Sequence, residues 1–170
     1  MNYISFHHSD VGNTGEKQLQ TVNEYHRQKW NMLSSLGWYG GYNYFCDVDG
    51  SVTQFRKEGE ETVAQAGHNL DTISMCLAGD FNVGYPTLPQ RRALKKFIGD
   101  HAGLEFKFHR ELQANRTCPG NLMNHVWINE NVLNISEDSA GANAGEITML
   151  QTKLSMLQKV FELYKKLAGK

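Results

Sequence analysis

The chain has no excess of either charge: 17 Lys and Arg stand against 18 Asp and Glu over 170 residues, a formal net charge of −1. Proteins that bind mainly through phosphate contacts carry a basic excess, so nucleic acid is not expected as the main partner. Long apolar runs are missing too. No stretch approaches the roughly 20 residues of a membrane span, and residues 1–10 have neither the basic start nor the apolar core of a signal peptide. Synthesis in the cytoplasm, without a membrane span, is the expectation. Cysteine is sparse and odd in number, at Cys46, Cys76 and Cys118, which argues against a disulfide framework.

What remains is the composition of an ordinary globular domain, 40% hydrophobic and 21% charged. The length suffices for one well-buried domain with a small appendage. Residues 3–8 read as a short strand ending in polar side chains. Asn13 followed by Glu16 has the spacing of a capping box, predicting a helix from there to about Trp30. Residues 40–47 and 51–56 read as two strands joined by the Asp49-Gly50 turn, a strong hairpin signal. Residues 72–78 form a further apolar strand. Thr87 and Gln90 make a second capping box, opening a helix through Leu94, Phe97 and Ile98. Residues 104–109 read as the last strand, and Pro119 as the start of a short helix toward Trp127. This order suggests an α/β or α+β domain over 1–135 with a mainly central sheet; the fold class expected is α/β, a mixed central sheet flanked by helices.

Residues 136–145 are small, polar and rich in Gly and Ala, the composition of a linker. Beyond them, 146–168 reads as an amphipathic helix with Ile147, Leu150, Leu154, Leu157, Phe161 and Tyr164 in steps of three and four. Its apolar stripe suits docking on the domain or on a partner copy. From Glu146 onward five lysines face two glutamates, a net of +3, which equally suits contact with an anionic envelope surface.

Two histidines and one cysteine are the residues to explain. His7 closes the first strand, and His109 and Cys118 flank a loop of eight intervening residues. Two imidazoles and a thiolate suit zinc with an open fourth position, although spacing this wide specifies little by itself. His8 rivals His7, but successive residues of a strand point to opposite faces, so only one can face a given site. Cys46 and Cys76 sit in apolar runs and read as small buried residues. Asp47-Val48-Asp49-Gly50-Ser51 is like the start of a calcium loop but lacks the bidentate glutamate, so a hairpin turn is preferred. His26 reads as a helix-face residue within possible reach of a ligand. His101 and His125 have no recognisable partner and read as surface residues.

Five segments in order carry a resemblance from about residue 3 to 122. They are Ile4-Ser5-Phe6-His7-His8-Ser9; Tyr25-His26 with Trp30; Gly41-Tyr42-Asn43-Tyr44-Phe45 with Asp49-Gly50; Asn69 and Ile73 through Phe81, with Pro86-Thr87 and Gln90; and Phe108-His109-Arg110-Glu111-Leu112 leading to Thr117-Cys118-Pro119-Gly120. In these the chain resembles the amidase family that includes phage lysozyme-type N-acetylmuramoyl-L-alanine amidases and animal peptidoglycan recognition proteins. The resemblance implies that family's fold, Zn2+ held by His7, His109 and Cys118, and His8 set outside the ligand set. It implies hydrolysis of the amide between N-acetylmuramic acid and L-alanine of peptidoglycan, in an enzyme that reaches the cell wall after release, as phage endolysins do.

The family's catalytic tyrosine falls on Tyr42. Phage members carry a lysine two residues before the cysteine, where this chain has Arg116. A guanidinium can stabilise an oxyanion but is a poor proton donor, so Arg116 is read as an electrostatic clamp, with proton transfer left to Tyr42 or water. The family's groove histidine falls near Ala64, with His68 as the alternative under a shortened loop. The second functional reading is a non-catalytic peptidoglycan-binding protein on the same fold; such proteins typically lose the cysteine ligand, and Cys118 is present.

Overall fold

Tyr3–His8 (β1) alternates Ile4 and Phe6 with Ser5 and His7, and all but its first residue are buried. The reason is its place in the sheet. In the computed structural model, which describes residues 1–136 apart from Thr14 and Asn115, β1 pairs in parallel with Thr72–Leu77 (β4) on one edge and Glu105–Phe108 (β5) on the other. A strand covered on both faces tolerates little solvent-facing polarity, and β4 is buried along its whole length. Tyr44–Cys46 (β2) runs parallel to β4, and Val52–Gln54 (β3) closes the other edge as an antiparallel hairpin. The order is β3-β2-β4-β1-β5, a mixed five-stranded sheet. Gly50 at φ +80° makes the tight hairpin turn, a backbone state that costs glycine little.

The two faces of this sheet differ in kind. Ile4, Phe6, Ile73, Met75 and Leu77 pack on Leu94 and Phe97 of Leu88–Asp100 (α2) in the larger apolar cluster. The opposite face carries a smaller cluster, with Phe45, Cys76 and Ala78 against Val22 of Leu19–Trp30 (α1). By strand alternation that same face receives Ser5, His7, Thr72 and Ser74, all buried. One side of the sheet is dry, and the other holds the polar side chains.

Helix starts illustrate local and remote control. The α2 start follows the expected capping box, with Thr87 Oγ1 accepting from Gln90 N–H and Gln90 Oε1 accepting from Thr87 N–H. The first helix departs from expectation. It begins at Leu19 rather than after Asn13, and Gln18 at its N-cap makes no side-chain cap. Instead the buried Asp47 carboxylate, from the end of β2, accepts from Gln18 N–H at 2.9 Å and Leu19 N–H at 3.1 Å. A carboxylate there satisfies orphan donors and complements the helix dipole. Asn13 is taken up elsewhere, bridging both backbone groups of Asp80.

The expected strands 40–47 and 51–56 contract to three residues each. Arg56, 1% exposed, explains part of this: its guanidinium donates to the carbonyls of Gly40, Glu61 and Met32, holding the flanks as loops. The last strand ends at Phe108, and His109–Leu112 (α3) is already helical. The helix expected from Pro119 is confined to His125–Ile128 (α4) with a π-helical turn over Asn129–Leu133. The segment before it is held as a loop by Arg110, which donates to Gly120 and Met123 carbonyls. At Gly120, φ +103°, a Cβ would run into the Phe81 backbone. The expected linker and C-terminal helix lie, from residue 137 on, outside the described residues. No helix among the described residues is long and apolar enough to cross a membrane.

Because Asp47 rather than Asn13 caps α1, Asp47→Ala should cost about 2 kcal/mol in urea unfolding and speed amide exchange in the first turn of α1. Asn13→Ala should leave that exchange unchanged. The reverse order would refute the remote cap.

Candidate metal centre

Sheet register brings the three candidate ligands together. Phe6 of β1 lies opposite Phe108 of β5, so the next residues, His7 and His109, become neighbours, with ring centroids 4.5 Å apart. The chain then leaves through α3 and returns, and Arg110 N–H donates to the Cys118 carbonyl at 3.1 Å, closing that loop. Cys118 Sγ reaches 3.7 Å from His7 Nδ1. One ligand atom from each of His7, His109 and Cys118 lies within 4.8 Å of the others, a span a single ion can bridge.

Each imidazole is engaged on its far side. His7 Nε2 is 2.7 Å from Gln65 Oε1, and His109 Nε2 is 2.9 Å from Gln113 Oε1. Burial first, and then the neighbouring His109, lowers the His7 pKa well below its ordinary value; burial likewise lowers that of His109. Both rings are therefore neutral near pH 7, the form that ligates metals. Burial pushes the Cys118 thiol up to about 12, opposed in part by the His8 backbone N–H that donates to its sulfur. Two neutral imidazoles and one thiol held this close form a donor set suited to zinc, a borderline-soft ion. The chemistry of the residues fits the group.

The three sit on the floor of a cavity of about 680 Å³. Tyr42 lines it, its ring between those of His7 (5.0 Å) and His26 (5.4 Å). Tyr42 is half-buried. Burial, with the two nearby thiols, pushes its phenol well above the ordinary value. Arg116 is exposed and lines the same cavity. Tyr25, Lys29 and Trp30 of α1 line another part, with Lys29 Nζ 4.7 Å from the centre of the Trp30 ring.

Several secondary expectations change. His26 lines the same cavity but is buried rather than on an exposed helix face: its Nδ1 accepts from Gly41 N–H at 2.9 Å, and burial lowers its pKa to about 4. His8 faces the other way, accepting at Nδ1 from Phe81 N–H. Ala64 lines the cavity, whereas His68 turns to Asp71 and is not among the lining residues. His101 and His125 both have partners, Glu58 at 2.9 Å and Glu111 at 2.8 Å. Cys46 and Cys76 are buried as expected. Asp47 and Asp49 belong to neither group of metal-compatible side chains found among the described residues. In the second such group, His8, Asp10 and Asp80, His8 Nδ1 accepts from Phe81 N–H. Another cavity, about 590 Å³, lies between α2 and the β2–β3 hairpin, away from the triad. Gln65 went unnoticed in the sequence, where its one signal is a polar residue inside the small-residue run Ala64-Gln65-Ala66-Gly67.

Residues 1–121 match the N-acetylmuramoyl-L-alanine amidase family. No curated protein sequence matches the chain. Among solved structures, the chain is similar to the N-acetylmuramoyl-L-alanine amidase LysC from Clostridium intestinale, at 26% identity and TM-score 0.61, covering 79% of this chain and 86% of that one. The endolysin of bacteriophage Ph2119 from Thermus scotoductus is 20% identical, with TM-score 0.61 and coverage of 76% and 82%. Bumblebee PGRP-SA, at 16% identity and TM-score 0.65 with coverage of 78% and 83%, shares the fold.

Zinc binding at this site would have to displace the Cys118 proton, because the thiol is protonated well above neutral pH while both imidazoles are already neutral. Apparent zinc affinity should therefore rise with pH, about tenfold per unit from about pH 7 to 8, in competition with a chelator of known pH dependence. An affinity flat across that window would contradict this donor set.

Proposed function

The chain belongs to the N-acetylmuramoyl-L-alanine amidase family, and on that premise we propose that it hydrolyses the amide joining the lactyl group of N-acetylmuramic acid to L-alanine in peptidoglycan. The observation that carries this reading is the meeting of His7, His109 and Cys118 at the floor of a cavity large enough for a sugar–peptide junction. These three residues would hold zinc, which when bound supplies Lewis acidity, polarising a carbonyl and acidifying water.

The chain's own residues handle the rest. Water adds to the amide carbonyl carbon, the C–N bond breaks, a carboxylate remains on the sugar, and the proton passes to the departing amine. Tyr42 packs on His7 and its phenol stays protonated, so it can donate to the oxygen that gains negative charge. Arg116 supplies a positive charge along the same cavity and acts as a clamp rather than a proton shuttle. The proton for the amine then comes from Tyr42 or from water. Lys29 adds a second cation along the cavity, suited to the carboxylates of a stem peptide.

An enzyme of the endolysin kind, acting on the wall after release, is the setting that suits this activity, and two of the similar structures are amidases or endolysins by name. Purified sacculi digested with the zinc-loaded protein should release stem peptides and leave glycan strands intact by mass analysis. Cleaved sugars would refute the amide specificity; sacculi bound but unaltered would favour a recognition protein. In the same assay Arg116→Lys should keep much of the activity and Arg116→Ala should lose about tenfold or more. Equal rates in all three proteins would remove the clamp.

A further inference from the structure

We propose that Gln65 is a positioning residue for the metal: its side-chain carbonyl holds His7 in the tautomer that turns the Nδ1 lone pair toward Cys118 and His109. The inference rests on the metal site proposed above. An uncharged imidazole has one N–H and one lone pair, and the partner of one nitrogen decides the role of the other. At His7 the two nitrogens face different worlds. Nδ1 looks to Cys118 Sγ at 3.7 Å, and Nε2 looks to Gln65 Oε1 at 2.7 Å. A carbonyl oxygen only accepts, so Nε2 must carry the proton, and Nδ1 is left bare on the side of the other two ligands.

A second donor sits at the same end of the amide. Ser5 Oγ, two residues earlier on the same face of β1, donates to the same Oε1 at 2.8 Å. The amide nitrogen Nε2 of Gln65, by contrast, is buried with no partner among the described residues. Gln65 itself is 1% exposed, so no solvent is at hand to take over the acceptor's role. Leaving a buried amide donor unpaired is unfavourable. The arrangement retains that cost while giving two donors to a single oxygen. The opposite orientation would set an N–H against His7 Nε2, force the proton onto Nδ1, and point it into the triad.

The loop that delivers Gln65 is built for the purpose. Gln65 N–H donates to Asn69 Oδ1 at 2.8 Å, and Thr62 Oγ1 donates to the same oxygen at 3.2 Å. His68 N–H donates back to the Gln65 carbonyl, with Gly67 at φ +87° in the turn between them. Asn69 thus clamps the loop, the loop seats Gln65 on β1, and Gln65 sets the face His7 presents. His109 has a similar contact with Gln113, but Gln113 is only half-buried, where water can stand in for it.

The test measures zinc affinity by chelator competition at one pH, together with ¹⁵N ring shifts of His7 in the metal-free protein. Wild type should show the Nε2–H tautomer at His7, and Gln65→Leu should bind zinc about 10- to 100-fold more weakly while melting as a folded protein. Gln65→Glu keeps the acceptor and should bind zinc at least as tightly as wild type. A His7 found as the Nδ1–H tautomer, a folded Gln65→Leu with wild-type affinity, or a Gln65→Glu as weak as Leu would each overturn the inference. If Gln65→Leu fails to fold, the wild-type ring shifts and the Glu variant decide alone. Neither readout involves substrate, so intact sacculi would sink the amidase reading without touching this one.

Discussion

Everything at the candidate centre depends on β1 being paired on both edges. Parallel pairing to β4 and β5 fixes its register from two sides, and a slip of one residue would exchange the faces of Phe6 and His7. Phe6 is fully buried against the α2 layer and Phe106, so the slip would bury an imidazole in the apolar cluster and push a phenyl ring into the polar face. Hydrophobic burial on one side of the sheet therefore enforces the position of a metal ligand on the other. The dry face acts as the ruler for the wet one.

That division has a thermodynamic cost which the polar face offsets bond by bond. Ser5, His7, Asn43, Ser74 and Gln65 are all buried, and each makes at least one hydrogen bond. Asn43 and Ser74 bind each other through side chain and backbone, tying β4 to the loop leading into β2. Apart from the Gln65 amide nitrogen, which has no partner among the described residues, these groups are paired, and such a network rigidifies its members. Rigidity matters because the three ligand atoms converge from β1, from the start of α3 and from a loop, and misplacement of any one would open the triad.

Some of this was legible in the sequence and some was not, for physical reasons. The α2 start was readable because both halves of its capping box, Thr87 and Gln90, lie within one helical turn. The start of α1 was not, because its cap comes from Asp47, 29 residues along the chain. The hairpin at Asp49-Gly50 was readable from turn chemistry, while its strand lengths were not, being trimmed by the buried Arg56. His7, His109 and Cys118 stood out only through the order of the motifs around them, since their spacing depends on which strands become neighbours. Gln65 could not be found that way: its importance lies in which atom of a buried amide meets a ring nitrogen. The partners of His26, His101 and His125 were missed for the same reason, being distant in sequence.

The central claim is that His7, His109 and Cys118 together hold one zinc ion with a position left open. X-ray absorption at the zinc edge of the protein loaded with one equivalent addresses it most directly. The account predicts a single sulfur at about 2.3 Å, two imidazole nitrogens at about 2.0–2.1 Å, and one light-atom ligand from solvent. A first shell without sulfur, or one with two sulfurs, would contradict it.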